Sequence, residues 1–180
     1  MNKMRRNKKF YFKRAKESPE PIVVEIKRRV HFSEVDIMGI VWFGRYPAFF
    51  EEGAEELGRY CGLSYKDFYK ALLRAPVVEL HIDYLKPLCL NDEFTIRTAL
   101  IWDEGARLNT EYYLLKHDNS VATSGYTIQL LTDVDSGEVC ITSPTLLERC
   151  RKRWRAGEFH IKRRRTNSRA PVTPACQESF

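Results

Sequence analysis

A single carboxylate, Asp36, stands at the start of an apolar run that leads towards a helix-like segment beginning near Tyr46. Burial beside apolar side chains would raise the pKa of such a carboxylate and make it a better base. The free N–H groups at a helix N-terminus can polarise a carbonyl oxygen. Together these two parts could attack an acyl group. From the spacing alone, the alternative is that Asp36 only caps a turn.

Three further residues of the same segment suit this chemistry. Gly39 lets the backbone turn tightly and approach a ligand. Phe43 or Gly44 would lie near the first free amides of the helix. The apolar side chains around them favour an aliphatic or aromatic acyl group over a charged one.

Five segments alternate apolar and polar residues with a period of two, which predicts β-strands. They cover residues 22–32, 78–84, 94–102, 108–115 and 121–131. Short polar clusters between the last four favour antiparallel neighbours, so we expect these four strands to form a meander. On this alternation the carboxylates of Asp83 and Glu111 are expected to face solvent.

Residues 46–61 carry apolar side chains at helical spacing, which predicts one amphipathic helix. Pro47 suits its first turn and Gly62 lies just past its end. Gly53 and Gly58 each cost about 1 kcal/mol relative to Ala, so we expect the helix to approach a flat surface such as a sheet closely. The elements together predict an α+β domain in which a curved antiparallel sheet wraps one long helix.

The net charge of +6 is unevenly distributed. Residues 1–20 carry eight basic and two acidic side chains, and residues 150–180 carry nine basic and two acidic ones. We therefore expect a basic disordered tail over 1–20, one acidic domain over 21–149 and a basic extension over 150–180. The tails could be merely solvated, could contact an anionic membrane surface or a nucleic acid, or could include a transit peptide.

Several protein classes lack support in this sequence. No apolar run approaches the roughly 20 residues of a membrane helix. The G-x-S-x-G, P-loop, G-x-G-x-x-G and H-E-x-x-H patterns are absent from the sequence, which argues against serine hydrolases, NTPases, dinucleotide enzymes and zincins. The five cysteines have no C-x-x-C spacing and the four histidines are scattered, so no metal site is expected. An odd cysteine count without an apolar signal segment favours a reducing, cytoplasmic compartment.

The segment from Asp36 to Tyr46 resembles the D-x-x-G-x-V-x-x-x-x-Y signature of the 4-hydroxybenzoyl-CoA thioesterase-like branch of the hotdog superfamily. Residues 49–51 resemble the start of the central helix of that family. Residues 84–92 are similar to its Y-x-x-P-x-x-x-G-D strand-turn-strand, with Asn91 in place of the glycine. The resemblance covers roughly residues 20–150.

The resemblance implies a hotdog fold, a five-stranded antiparallel sheet wrapped around one long central helix, in homodimers or homotetramers with active sites at the dimer interface. It implies that Asp36 is the nucleophile or general base and that the backbone N–H of Phe43 holds the oxyanion. It implies neither a metal nor another cofactor. The signature also implies four substrate-binding residues: Gly39, Val41, Trp42 and Tyr46.

Some positions depart from the family pattern or offer an alternative. Phe43 and Arg45 stand where bacterial relatives often have His and Asn, so a side-chain hydrogen bond from that His is lost. Glu51 is a possible alternative carboxylate, although a Glu early in a helix ordinarily serves the helix dipole. For the phosphates of coenzyme A we expect a basic partner among four residues. These are Lys86, Arg97, Arg107 and Lys116.

The sequence therefore predicts an acyl-CoA thioester hydrolase that releases free acid and CoA by Asp36-assisted attack on the thioester carbonyl. Two alternatives stay open. One is an acyl-carrier-protein thioesterase, because basic tails could dock an acidic carrier. The other is a non-catalytic hotdog module that binds anionic partners through its tails.

Overall fold

The computed structural model describes residues 11–164 of the chain. These residues form eight strands and three α-helices, and no helix among them is long and apolar enough to cross a bilayer. Two 3-10 turns, Phe32–Glu34 and Phe43–Arg45, lie between the first strand and the first helix. In chain order the elements are β1 (Ile22–Arg29), α1 (Tyr46–Cys61), α2 (Tyr65–Lys70), β2 (Leu73–Arg74), β3 (Val77–Tyr84), β4 (Glu93–Ile101), β5 (Arg107–Lys116), β6 (Val121–Leu130), β7 (Thr132–Asp133), α3 (Thr145–Arg155) and β8 (Lys162–Arg164).

Six strands form one sheet in the order β3-β6-β5-β4-β1-β8. The five long strands pair antiparallel, and the short β8 pairs parallel with β1. The expected α+β fold, five antiparallel strands with one long helix, is confirmed. The small β2–β7 pair lies outside this sheet.

The predicted four-stranded meander is wrong in one connection. β4, β5 and β6 are consecutive neighbours, but β3 pairs with β6 at the far edge of the sheet rather than with β4. The polar cluster between β3 and β4 does not close a hairpin, because its backbone pairs with the loop after β1. The Leu90 N–H donates to the Gly39 carbonyl at 3.1 Å, and the Val41 N–H donates to the Leu88 carbonyl at 2.8 Å.

The long helix α1 packs on one side of the sheet, here called the inner face. The Phe50 ring stacks on the Tyr112 ring of β5 with centroids 4.3 Å apart. A Cβ at Gly53 would overlap side chains of β4, which confirms the expected close approach of helix and sheet. A Cβ at Gly58 would instead lie 2.6 Å from the Leu63 carbonyl, so this glycine fits the turn after α1 and not the sheet.

Part of the basic C-terminal segment belongs to the packed domain. The domain boundary placed at residue 149 falls inside α3, whose residues Leu146, Leu147, Cys150 and Trp154 are buried. Their spacing fits one face of a helix, and the basic residues between them obscured that pattern. The rest of the extension, residues 165–180, lies outside the described residues.

Residues 11–20, here called the N-terminal strap, begin on the opposite, outer face of the sheet, where Tyr11 and Phe12 bond to Glu111. Glu111, expected to face solvent, is fully buried beneath the strap, and Asp83 is half-buried. The expectation failed because the outer face is covered by a segment without its own periodic pattern. The first half of the predicted tail, residues 1–10, lies outside the described residues.

Candidate active site

Residues 35–41 form a small hairpin that carries Asp36. Val35 pairs with Val41, and the Asp36 N–H donates to the Ile40 carbonyl at 2.8 Å. Gly39 closes the three-residue loop at its tip with a φ of +74°. A left-handed residue at this position is typical of such hairpins and favours glycine, because a Cβ is strained there.

The Asp36 carboxylate uses one oxygen to hold its own turn. Its Oδ1 accepts the Met38 N–H at 2.8 Å, so this oxygen caps the turn. Oδ2 accepts no hydrogen bond from any of residues 11–164. The turn therefore orients the carboxylate and leaves one oxygen available for a proton or an electrophile.

The apolar side chains expected to bury Asp36 do not do so within one chain. Ile37 is 103% exposed and Met38 is 65% exposed, and both lie at the hairpin tip. A tight three-residue loop turns its side chains away from the body of the domain. The loop therefore presents a carboxylate beside an uncovered apolar tip.

A buried acid holds both ends of this hairpin. The Glu34 carboxylate accepts two hydrogen bonds from Arg28, at 2.7 and 2.8 Å, and one from the His31 N–H at 2.8 Å. The Glu34 carbonyl accepts the Trp42 N–H at 3.0 Å. Arg28 also donates to Glu52 of α1 at 2.8 Å. This network joins β1, the hairpin and the helix.

Charge outweighs burial in this network. Burial acts to raise the pKa of Glu34, but the hydrogen bonds and charge of Arg28 outweigh it and hold that pKa below its ordinary value. Burial likewise acts to lower the pKa of Arg28, and its two carboxylate partners outweigh it. The guanidinium lies 4.6 Å from the centroid of the Phe49 ring, which supports its flat face.

Two unpaired backbone amides lie at the entrance to α1. The N–H groups of Phe43 and Gly44 donate to no acceptor in the described part of the chain. The carbonyl oxygens of the same two peptide units are held, because Trp42 accepts from the Arg45 N–H at 2.9 Å and Phe43 accepts from the Tyr84 hydroxyl at 3.1 Å. Fixed donors of this kind can stabilise a developing oxyanion.

The other predicted substrate-binding residues fall into two groups, one at the surface and one buried. Gly39 and Trp42 lie at the surface, where Trp42 is half-exposed. Val41 and Tyr46 are each only 4% exposed, so their side chains support the hairpin and helix start from within the core. Glu51 is exposed on α1, with the Tyr65 hydroxyl of α2 as its neighbour at 3.5 Å.

Three of the four cations considered for phosphate binding are engaged elsewhere. Lys86 alone among the four forms no ion pair within residues 11–164. It lies exposed two residues beyond Tyr84, whose hydroxyl contacts the Phe43 carbonyl. The ion pairs are Arg97 with Glu25 at 3.8 Å, Arg107 with Asp103 at 2.6 Å and Lys116 with Asp92 at 3.1 Å.

A cavity of about 780 Å³ lies between α1, α2 and the inner face of the sheet. Its walls are mainly apolar, and they include Leu57, Phe68 and Leu108. On α1 the first residue that lines the cavity is Ala54. Ala54 lies eight residues after Tyr46, which is about 12 Å along the helix axis at 1.5 Å per residue. Sequence reasoning missed this cavity because most of its wall comes from residues 54–75, where α2 was not predicted.

The Glu34 network predicts a pH-dependent loss of stability. Glu34→Gln should lower the free energy of unfolding by about 2 kcal/mol at pH 7, because Arg28 loses a buried anionic partner. The pKa of Glu34 is lower in the folded than in the unfolded chain, so its stabilisation is complete above the ordinary value of 4.5 and is lost as the pH falls below it. The difference between wild type and variant should therefore shrink in acid.

Urea unfolding at pH 7 and pH 3.5 measures this difference. Glu93→Gln is the control, because Glu93 forms an exposed pair with Arg29 and should change the free energy of unfolding by less than about 0.5 kcal/mol. A Glu34→Gln difference that is equal at both pH values contradicts the account.

Comparisons with known proteins identify the family of this chain. Residues 30–173 match the family model described as the thioesterase-like superfamily. A 1,4-dihydroxy-2-naphthoyl-CoA hydrolase of Crocosphaera subtropica is 25% identical over 93 residues, which are 51% of this chain and 68% of that protein.

Solved structures share the fold. A DHNA-CoA thioesterase from Staphylococcus aureus has a TM-score of 0.64 at 18% identity and covers 78% of this chain and 98% of its own. Another Staphylococcus aureus protein, solved in complex with CoA, has a TM-score of 0.66 at 17% identity and covers 87% of this chain and 91% of its own. Because the family model spans most of the sequence, the chain belongs to the thioesterase-like superfamily and is a thioester hydrolase.

Proposed function

We propose that this chain hydrolyses acyl-CoA thioesters with Asp36 as the general base. The observation that carries the proposal is one clamped segment that holds a carboxylate with a free oxygen and, seven positions later, an unpaired amide. The relative from Crocosphaera subtropica is named a CoA hydrolase, which supports CoA as the carrier. Lys86 is the candidate contact for the CoA phosphates.

In the proposed reaction, Asp36 Oδ2 accepts a proton from a water molecule as the water oxygen bonds to the thioester carbon. The carbonyl oxygen becomes an oxyanion and accepts the Phe43 N–H. The tetrahedral intermediate then collapses, and the C–S bond breaks. The CoA thiolate leaves and takes up the proton from Asp36, and the free acid remains.

The edge strand β3 supports a dimer. Among residues 11–164 it pairs with β6 alone, so within this part of the chain its other side is the edge of the sheet. Val78, Leu80 and Tyr84 on this strand are each about half-exposed. An apolar strand with unpaired backbone groups is a template for a second strand, and a two-fold axis satisfies both copies at once.

The pairing geometry of such a dimer is restricted. Residues opposite each other in antiparallel strands point to the same face of the sheet. A two-fold axis between two copies of β3 therefore pairs one residue with its own copy, and we place this residue near the strand centre, at Leu80 or His81. Tyr84 of one protomer then lies beside the start of the partner's β3. Because Tyr84 contacts the Phe43 carbonyl, the hairpin and the helix entrance also lie on that side.

This arrangement brings the cavity of one protomer towards the hairpin of the other. Ala75 lines the cavity and lies two residues before β3, and Gln129 fixes it by donating to its carbonyl at 2.7 Å. The exposed tip at Ile37 and Met38 would then be covered by the partner. The proposed site is composite, with Asp36 and the oxyanion donor from one chain and the acyl cavity from the other.

The cavity supports a large apolar acyl group as the substrate. Its volume of about 780 Å³ lies within the range of roughly 300–1,000 Å³ that small-molecule sites occupy. Leu57, Phe68 and Leu108 supply an apolar wall for such a group, and the charged lining residues are Glu55, Lys70 and Arg74.

The catalytic assignment predicts a large loss in one variant and little change in a second. Asp36→Asn should keep the turn, because the amide oxygen can still accept the Met38 N–H, and should lower kcat at least about a hundredfold. Glu51→Gln removes the alternative carboxylate and should change kcat less than about threefold. Thiol release is measured on acyl-CoAs from short to long chain and aromatic, and on an acyl-carrier protein.

Loss of activity in Glu51→Gln with retention in Asp36→Asn would reverse the assignment. Turnover of the acyl-carrier protein alone would favour that substrate over CoA, and no turnover of any thioester by wild type would contradict the proposal.

The dimer predicts that a charge on the edge strand abolishes both assembly and activity. Leu80→Lys should give a monomer, because a lysine on a strand edge opposes pairing with another chain. Ile141→Lys is the control, since Ile141 is equally apolar and even more exposed but lies in the loop before α3. Light scattering after gel filtration gives the mass, and thiol release gives the activity. A Leu80→Lys monomer with full activity would rule out the composite site.

A further inference from the structure

The Tyr84 hydroxyl contacts a backbone unit whose N–H the proposed mechanism does not use. Tyr84 is the last residue of β3, and its hydroxyl donates to the Phe43 carbonyl at 3.1 Å. That carbonyl and the Gly44 N–H belong to the same peptide unit. The Gly44 N–H has no acceptor within residues 11–164. Tyr84 therefore holds one end of a peptide unit whose donor end is free.

Packing fixes the position of the Tyr84 side chain. Although the residue is 51% exposed, its ring meets the Tyr46 ring edge-on, with centroids 5.0 Å apart. Tyr46 begins α1 and is buried. The next two residues of the chain are also held, because the N–H groups of Leu85 and Lys86 both donate to the Ala122 carbonyl at 2.9 Å. These contacts keep the hydroxyl beside the entrance to α1.

The glycine at position 44 meets a steric requirement of the same place. Its φ lies outside the left-handed region, so its backbone conformation does not require glycine. A Cβ at Gly44 would overlap the six-membered ring of Trp42, so this ring lies directly against the Gly44 Cα. An apolar ring beside a free N–H limits the access of water on that side. Electrostatic contacts of the N–H are stronger where water is excluded.

A hydrogen bond to the carbonyl of a peptide unit strengthens the N–H of that unit as a donor. The donated proton draws electron density towards the carbonyl oxygen, and hydrogen bonds on the two ends of one amide reinforce each other. The Phe43 N–H gains this effect from Arg45, whose N–H donates to the Trp42 carbonyl at 2.9 Å. Tyr84 supplies the equivalent contact for the Gly44 N–H. Two neighbouring donors are thus strengthened alike, one by the backbone and one by a side chain.

We propose that the Gly44 N–H is a second donor to the oxyanion and that Tyr84 is the positioning residue for it. The inference rests on the proposed function and extends it, because the sequence signature indicates the Phe43 N–H alone. Negative charge develops on the carbonyl oxygen only as water adds to the thioester, so a stronger donor stabilises the transition state more than the bound substrate. Removal of the Tyr84 hydroxyl should therefore lower kcat and leave KM nearly unchanged.

Steady-state thiol release by Tyr84→Phe measures this difference between kcat and KM. The variant keeps the ring on Tyr46 and loses only the hydroxyl, so kcat should fall about tenfold and KM should change less than about twofold. Tyr60→Phe is the matched control, because the Tyr60 hydroxyl also donates to a backbone carbonyl, that of His160 at 2.7 Å, near the other end of α1. An unchanged kcat in Tyr84→Phe, a loss carried by KM, or an equal loss in Tyr60→Phe would overturn the inference.

The infrared carbonyl stretch of a bound ligand reports donor strength without turnover. The probe is a ketone analogue of the acyl-CoA that wild type hydrolyses fastest, labelled with ¹³C at the carbonyl and carrying a CH2 group between that carbon and the sulfur. Hydrogen bonds to the carbonyl oxygen lower the frequency of its stretch. In saturated Tyr84→Phe the band should move from the wild-type frequency towards that of the free analogue, and in Tyr60→Phe it should not move. Equal frequencies in wild type and Tyr84→Phe would contradict the positioning role.

An ester in place of the peptide bond between Phe43 and Gly44 identifies the donor through which Tyr84 acts. In vitro translation with glycolate at position 44 removes an N–H that has no acceptor within residues 11–164. This change should lower kcat about a hundredfold. Tyr84→Phe should then add less than about twofold, because the hydroxyl acts through the missing N–H. A further tenfold loss in the ester-containing chain would show that Tyr84 acts elsewhere.

These outcomes are separable from those that test the base. A wild-type kcat in Tyr84→Phe beside an inactive Asp36→Asn would remove this inference and leave the proposed function standing. A wild type that turns over no thioester would contradict the proposed function, and the inference would fall with it.

Discussion

The buried contact between Arg28 and Glu34 determines where the candidate catalytic groups lie. Glu34 receives a guanidinium from β1 on its carboxylate and a backbone N–H from the far end of the hairpin on its carbonyl. The same guanidinium reaches Glu52 on α1. One residue therefore fixes the hairpin to the strand before it and, through Arg28, to the helix after it. This contact acts together with the backbone pairing of the hairpin to residues 88–90 and the Tyr84 hydroxyl bond to Phe43 in orienting Asp36 and the Phe43 amide.

In the proposed mechanism, that clamp is what would let a single carboxylate be sufficient. A thioester already has a good leaving group, so the enzyme must supply a base and one donor at fixed positions. The clamped segment supplies both, but it leaves its apolar tip exposed and the large cavity lies at the other half of α1. In the proposed site, the base and the acyl cavity of one chain do not meet within that chain. A two-fold pairing along β3 is the simplest arrangement that joins them.

The sequence was most informative where chemistry and local geometry coincide. The positions of Asp36, Gly39 and Phe43 in a turn before a helix could be predicted, because a tight turn and a helix start are each indicated by residue types only a few positions apart. α1 and the long strands could be placed because each buries one face and so repeats at its own period.

The predictions from sequence that were wrong concern regions whose structure depends on contacts between residues far apart in the chain. The backbone of residues 88–90 pairs with the hairpin, and β3 lies at the opposite edge of the sheet from the expected one. No local sequence pattern predicts this pairing. The strap bonds Glu111 through backbone N–H groups, which any residue can supply, so the burial of Glu111 leaves no periodic signal. The face of α3 does repeat at helical spacing, but its basic residues resemble those of a tail.

The composite site is tested most directly by mixing two inactive variants. Asp36→Asn removes the proposed base and leaves the cavity open, whereas Ala75→Trp places a large side chain on the cavity wall and leaves Asp36 intact. After subunit exchange, a mixed dimer has one site with both parts intact if the base and cavity come from different chains. The account predicts that thiol release recovers to about a quarter of the wild-type rate in an equal mixture. A mixture of two folded, exchanging variants that stays as inactive as its components would show that each site lies within one chain.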